Sequence, residues 1–226
     1  MQANWLHKTG KERLIIFFHG WGLDANSLKH LHSKEYDVLL IHQYIDFDCS
    51  EDLSAISQRY AWIGIIAFSM GVSQYSILRQ KHQWRSPDIS IAINGTLHPV
   101  HNTLGIPVEI FKSTLDQFSI PNRDKFFKRM CGGADNFRKF QNCIPQVLPE
   151  KQKEELQVLY DRCIHLELGN YFNSAIISSH DLIFSSVNQF NSWNNSIAKI
   201  VTINGSHFPF FAWNFWDEII QIAHGQ

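Results

Sequence analysis

A chain of 226 residues with 44% hydrophobic and 18% charged residues is long enough to bury one substantial core and too apolar to remain disordered. Its net charge of -1 leaves no overall field that would draw it to nucleic acid or to an anionic membrane. An aromatic share of 13%, with 17 Phe and 7 Trp, suits an apolar pocket as well as a core.

The four cysteines, Cys49, Cys131, Cys143 and Cys163, form no CxxC pair and show no metal-ligand rhythm. The opening stretch from Met1 to Arg13 is polar and lacks the apolar core of a secretory signal. No apolar run approaches the ~20 residues that span a bilayer. These features lead us to expect a cytoplasmic, monomeric protein of one domain, residues 1–226, with free thiols.

In chain order, Arg13 to Phe18 is a continuous apolar run, as expected of a strand buried on both faces. It enters the glycine-punctuated loop His19-Gly20-Trp21-Gly22. Asp37 to Ile41 predicts a second buried strand, and Glu51 to Gln58 a helix capped by Ser50. Ala61 to Phe68 predicts the central strand, and Met70 to about His82 a helix that stops before Pro87. Ile89 to Ile93 is the next strand. From about Gly95 to Leu148 the alternation gives way to an irregular stretch with Pro99, Pro107, Pro121, Pro145 and Gly132-Gly133. Beyond it come a helix over Glu150 to Arg162, a strand over Ser174 to Ser178 and a helix near Ser186 to Trp193. A strand over Ile197 to Ile203 and a helix near Phe211 to Ala223 close the chain. Strands alternating with helices predict an α/β fold, a mostly parallel sheet flanked by helices. The residues about 95–148 would be an inserted lid.

The chemistry starts at Ile63-Gly64-Ile65-Ile66-Ala67-Phe68-Ser69-Met70-Gly71, where an apolar strand stops at a serine between small residues and a helix follows at once. That is a nucleophile elbow, although Ala67 stands where the usual motif has its first glycine. A serine nucleophile needs a base, an orienting acid and an oxyanion hole. Asp181 follows the strand Ser174 to Ser178, and His207 follows the last strand. The order Ser69, Asp181, His207 is that of α/β-hydrolases, and the carboxyl edge of a parallel sheet is where such folds place chemistry. The backbone N–H groups of Met70 and Trp21 are the expected oxyanion donors.

Other readings stand beside these. Asp181 could cap a helix, His180 could serve as the base, and Asp116, Asp161 and Asp217 are weaker candidates for the acid. His98 and His101 have a ligand-like spacing but no acidic partner and no helix to hold it, so no metal site is expected. Phe111, Phe126 and Phe127 are lid residues that would touch an acyl group, unless they are plain core. Arg123, Lys125, Lys128, Arg129, Arg138 and Lys139 outnumber Asp124 and Asp135 between Pro121 and Phe140. Such a patch is either a solvated face or a dock for an acidic partner.

The chain resembles the BioG branch of pimeloyl-[acyl-carrier protein] methyl ester esterases of biotin biosynthesis. The resemblance rests on Phe17-Phe18-His19-Gly20-Trp21-Gly22-Leu23-Asp24, Phe68-Ser69-Met70-Gly71-Val72 and Ala92-Ile93-Asn94-Gly95-Thr96. It continues in Gly105-Ile106-Pro107, Ile110-Phe111, Arg129-Met130-Cys131-Gly132, Asp181-Leu182-Ile183-Phe184, Asn188-Gln189 and His207-Phe208-Pro209-Phe210. These blocks span nearly the whole chain. The resemblance implies an α/β-hydrolase fold and hydrolysis of the distal methyl ester of a pimeloyl chain carried on acyl-carrier protein. It also implies Ser69 as nucleophile, Asp181 as acid and His207 as base, without metal or organic cofactor. The lid would hold the acyl chain, and Arg123, Lys128, Arg129 and Arg138 would meet the carrier protein. The alternatives are a general short-chain carboxylesterase or thioesterase on the same scaffold, and a catalytically silent binding protein.

Overall fold

The computed structural model describes residues 1–82, 84–194 and 196–225. Its seven-stranded sheet runs in the order β1-β3-β2-β4-β5-β6-β7. The strands are β1 (Gln2–His7), β2 (Arg13–Phe18), β3 (Asp37–His42), β4 (Trp62–Phe68), β5 (Ile89–Ile93), β6 (Ser174–Ser178) and β7 (Lys199–Ile203). Every neighbouring pair is parallel except β1 with β3, which is antiparallel.

The strand sequences explain the layers. Along β2, Leu14, Ile16 and Phe18 face one cluster of buried residues, while Ile15 and Phe17 face the other. Both faces of the central strands are therefore covered, which is why they read as unbroken apolar runs. Burying each such Leu, Ile or Phe stabilises the fold by roughly 1.5–3 kcal/mol before the entropy of ordering is counted.

Helices α1 (Leu53–Ser57), α2 (Met70–Lys81), α6 (Pro149–Cys163), α7 (Ser186–Trp193) and α8 (Trp216–His224) flank the sheet. Helix α2 is buried all round from Met70 to Leu78. Its polar groups are satisfied internally: Ser73 and Ser76 donate to the Met70 and Val72 carbonyls at 2.9 and 3.0 Å. Arg162 donates to Gln74 at 2.7 Å. Among the described residues no helix is long and apolar enough to cross a membrane.

Several elements differ from expectation. Strand β1 was not anticipated, because an edge strand with one half-buried face carries little apolar signal. Helix α1 is capped by Asp52, which accepts the Ala55 N–H at 2.9 Å, whereas Ser50 accepts from Ala3 at 2.9 Å. Strand β7 starts at Lys199, leaving Ile197 91% exposed. The last helix starts at Trp216, after a short 3-10 turn over Phe210–Ala212.

The stretch read as irregular contains three helices, α3 (Val108–Asp116), α4 (Ile120–Cys131) and α5 (Ala134–Gln141). Several of its prolines and glycines stand at helix ends rather than opposing helix. Pro107 is the N-cap of α3, Pro121 lies in the first turn of α4, and Gly132 ends α4 at φ 71.

Candidate active site

The sharp turn from β4 into α2 holds Ser69 at φ 56 and ψ -124, a conformation that a residue with a Cβ adopts only under constraint. The constraint is visible. Ser69 donates its N–H to the Ile93 carbonyl at 2.9 Å and accepts from the Val72 N–H at 3.1 Å. Helix and strand approach so closely that a Cβ on Gly71 would lie 2.3 Å from the Phe18 carbonyl oxygen, and one on Gly95 2.3 Å from that of Ser69. Ala67 is fully buried within the core cluster, so its methyl group has a place. The glycines that this elbow needs are therefore Gly71 and Gly95, not position 67.

The ends of β6 and β7 bring the expected partners to the serine. His207 Nε2 lies 2.9 Å from Ser69 Oγ, and His207 Nδ1 lies 2.8 Å from Asp181 Oδ2. Asp181 Oδ1 accepts the N–H groups of Ile183 and Phe184 at 2.8 and 2.9 Å, and Oδ2 also accepts from Gln189 Nε2 at 3.0 Å. These donors, together with His207, fix the carboxylate in place. The Phe184 ring stacks on the imidazole at 5.8 Å and 11°, and Phe68 lies against it at 4.9 Å. The competing residues are elsewhere: His180 is exposed and bonded to Ser179, Asp161 accepts from Gln157, and Asp217 accepts from the Lys34 N–H.

The loop after β2 is fixed by His19. The Gly20 N–H can only donate, so His19 Nδ1 accepts it at 3.0 Å and Nε2 carries the proton that goes to Ser27 Oγ at 2.8 Å. Burial drives the His19 pKa well below its ordinary value, with a smaller contribution from His42, so the ring stays neutral. Among the described residues neither the Trp21 N–H nor the Met70 N–H has an acceptor. Both residues line the cleft above Ser69.

A family model described as pimeloyl-ACP methyl esterase BioG matches residues 1–219. The chain belongs to the BioG family. A crystal structure of BioG from Haemophilus influenzae shares 29% identity with it at a TM-score of 0.87, over 96% of this chain and 99% of that one. A malonyl-[acyl-carrier protein] O-methyltransferase of Bacteroides fragilis is 32% identical over 201 residues, or 88% of this chain. The chain spans only 40% of the length of that relative. An esterase from Exiguobacterium antarcticum, at 12% identity and a TM-score of 0.66 over 99% and 92% of the two chains, shares the fold alone. The layered sheet is thus the α/β-hydrolase fold, and the family is one of carboxylic ester hydrolases.

In this BioG protein the cleft is lined by apolar groups, among them Met70, Ile106, Phe111, Phe126, Leu156 and Ile183, with Arg129 the cationic member. A second, more polar hollow shares Trp21, Thr114, Phe126 and Arg129 with it and adds Asn122, Arg123 and Lys125. The Trp21 indole stands edge-on to Phe118 and Phe126 at 6.1 and 5.1 Å. Phe127 does not line the cleft. It packs on Phe140 at 5.1 Å, because it lies one position further round α4 than Phe126.

The basic residues divide. Lys128 and Arg138 are exposed, and Arg138 pairs with Asp135. Arg123 is half-buried and bonded to Asp124 at 2.8 Å and to Gln152 at 3.3 Å, while Arg129 donates to the Leu182 carbonyl at 2.7 Å. His101 Nδ1 accepts the N–H groups of Thr103 and Leu104, each at 3.2 Å, which gives it a turn-forming place.

Sequence reading assigned no role to Asn94, Gln189, Gln152 or Glu155. Asn94 follows β5 and donates from Nδ2 to the carbonyls of Ser206 and His207 at 3.1 and 2.8 Å. The strand-end rule that selected the other three positions applies to it equally. For Gln152 and Glu155 the available signal was a polar pair on the buried stripe of α6.

Proposed function

We propose that this chain hydrolyses the distal methyl ester of pimeloyl-[acyl-carrier protein] methyl ester, releasing methanol and pimeloyl-[acyl-carrier protein] in biotin biosynthesis. The observation that carries the reading is the hydrogen-bonded chain Ser69–His207–Asp181, at 2.9 and 2.8 Å, set beneath an apolar cleft. Membership of the BioG family supports the substrate.

Ser69 Oγ attacks the ester carbonyl while His207 Nε2 takes its proton, and Asp181 stabilises the imidazolium. The N–H groups of Trp21 and Met70 receive the developing oxyanion. The C–O bond to the methoxy group breaks, and His207 returns the proton to release methanol. Water, deprotonated by the same imidazole, then cleaves the acyl-enzyme and leaves a free carboxylate. The steps need only side chains, two backbone N–H groups and water, and we assign no metal or organic cofactor.

The cleft suggests how one ester is chosen over the thioester at the other end of the chain. An apolar acyl chain enters the cleft end-first between Phe111 and Phe126, so its tip meets Ser69 while the thioester stays outside. Helices α3 to α5, within residues 95–148, form the lid over it. Arg123, Lys128, Arg129 and Arg138 face the acidic carrier protein, where charge speeds encounter more than it tightens binding.

Incubation with methyl-pimeloyl-[acyl-carrier protein] followed by mass spectrometry tests this. The expected product keeps its thioester and loses the mass of one methylene. Release of the whole acyl chain would mean a thioesterase instead.

A further inference from the structure

The loop that carries the Trp21 N–H is gripped from the far side by helix α6. Glu155 is 1% exposed, and its Oε2 accepts the Gly22 N–H at 3.1 Å. Its Oε1 accepts the Tyr44 N–H at 2.9 Å, tying the same carboxylate to the segment after β3. One turn earlier, Gln152 donates to the Gly22 carbonyl at 2.8 Å, and its own backbone carbonyl takes the Trp21 indole N–H at 2.7 Å. With the Gly20 N–H held by His19, the Trp21 N–H sits between two peptide groups that are each tied down. No step of the hydrolysis uses Glu155, yet a carboxylate is costly to bury without a close cationic partner.

We propose that Glu155 is a positioning residue for the oxyanion hole: its carboxylate, acting through the Gly22 N–H, fixes the direction of the Trp21 N–H. The proposal rests on the reading of Trp21 as an oxyanion donor. A carboxylate suits the place because both of its neighbours are donors. A neutral carboxyl group presents one hydroxyl, which cannot accept as its partner oxygen does, so protonation weakens one of the two bonds.

That protonation falls near neutral pH, because burial raises the Glu155 pKa to about 7 against the pull of the two N–H groups, the Met1 ammonium and Arg162. The titratable and charged groups around it are Arg162 on α6, the Met1 ammonium and Tyr44. His19 lies beyond Tyr44, whose hydroxyl donates to the His19 carbonyl at 2.8 Å. Burial pushes the Tyr44 phenol well above its ordinary range and holds His19 neutral, so neither changes state in the same interval.

Glu155→Gln keeps the shape and turns one acceptor into an amide donor facing a backbone N–H. On a chromogenic short-chain ester, kcat is expected to fall about tenfold with KM within about twofold, since only the transition state gains from the oxyanion hole. The wild-type kcat profile should contain a step near pH 7 that the variant lacks. In the unsubstituted protein, the amide ¹⁵N shifts of Gly22 and Tyr44 should titrate together near neutrality. This second measurement decides the matter if the variant does not fold. An unchanged kcat in a folded Glu155→Gln, or Gly22 and Tyr44 shifts that do not follow the Glu155 side-chain carboxyl signal as it titrates, overturns the proposal. Failure of the underlying hydrolase reading looks different: Ser69→Ala would then retain the esterase activity.

Discussion

Replacing Asn94 should disable His207 without touching the catalytic groups themselves. Its Nδ2 serves Ser178 Oγ at 2.8 Å and the carbonyls of Ser206 and His207 at 3.1 and 2.8 Å, while Oδ1 accepts the Ser178 N–H at 2.7 Å. Asn94→Ala leaves the Ser178 N–H and the two carbonyls unpaired in a buried place, at roughly 1–3 kcal/mol for each orphaned group. Asn94 also holds φ 46, where alanine adds about 1 kcal/mol of conformational cost. The sum is on the order of 5 kcal/mol, and freeing the His207 loop should lower kcat roughly 10²-fold. Urea unfolding followed by tryptophan fluorescence and hydrolysis of a chromogenic ester measure the two effects. Asn94→Gly separates the causes, because glycine removes the φ cost but not the lost bonds. It should fall between wild type and alanine in stability and match alanine in rate. If Asn94→Ala loses under about 1 kcal/mol and keeps kcat within about twofold, Asn94 does not hold His207 and the account of the loop is wrong.

Further outcomes follow from the same geometry. Gly71→Ala, whose Cβ would meet the Phe18 and His19 carbonyl oxygens at 2.3 and 2.6 Å, should cost roughly 3 kcal/mol or more and most of the activity; wild-type behaviour in both would contradict the close packing at the elbow. Burial holds the His42 pKa at about 4, below its unfolded value of 6.5, so the unfolded state binds more protons between them and stability falls as pH drops through that window. Glu155, raised from 4.5 to about 7, acts in the opposite sense, with stability falling as pH rises through its window. In a series of melting curves against pH, His42→Gln should therefore flatten the acid limb and Glu155→Gln should steepen it. Reversing the exposed Lys128 and Arg138 to Glu should slow hydrolysis of the carrier-borne ester about tenfold while sparing a small ester, an effect that fades with added salt. Equal loss on both substrates would remove these two residues from the docking surface.

The positions of Ser69, Asp181 and His207 were legible because a parallel sheet collects the carboxyl ends of its strands along one edge. Each buried strand there announces itself as an apolar run. Asn94 also stands at a strand end, but an amide there carries no nucleophile, acid or base to mark it; its bonds go to the carbonyls of Ser206 and His207. Glu155 shows in the sequence only as a polar residue on the buried stripe of α6; its partners Gly22 and Tyr44 lie 133 and 111 residues away, and no local pattern links them. Helices α3 to α5 are hidden in the sequence because Pro107, Pro121 and Gly132 mark helix ends as readily as loops. Phe126 and Phe127 are adjacent in sequence, and only the rotation of α4 separates the cleft-lining ring from the core one.

The central claim is that Ser69 attacks the distal ester, and the covalent intermediate reports this directly. Mixing wild-type protein with methyl-pimeloyl-[acyl-carrier protein], quenching with acid within the first turnover and weighing the intact protein captures the acyl-enzyme. Attack on the distal ester expels methanol and leaves Ser69 linked through the pimeloyl chain to the whole carrier protein, and that large adduct, absent from Ser69→Ala, is the expected result. An adduct bearing only the methyl-pimeloyl group, with the carrier protein released, would show attack on the thioester and contradict the account.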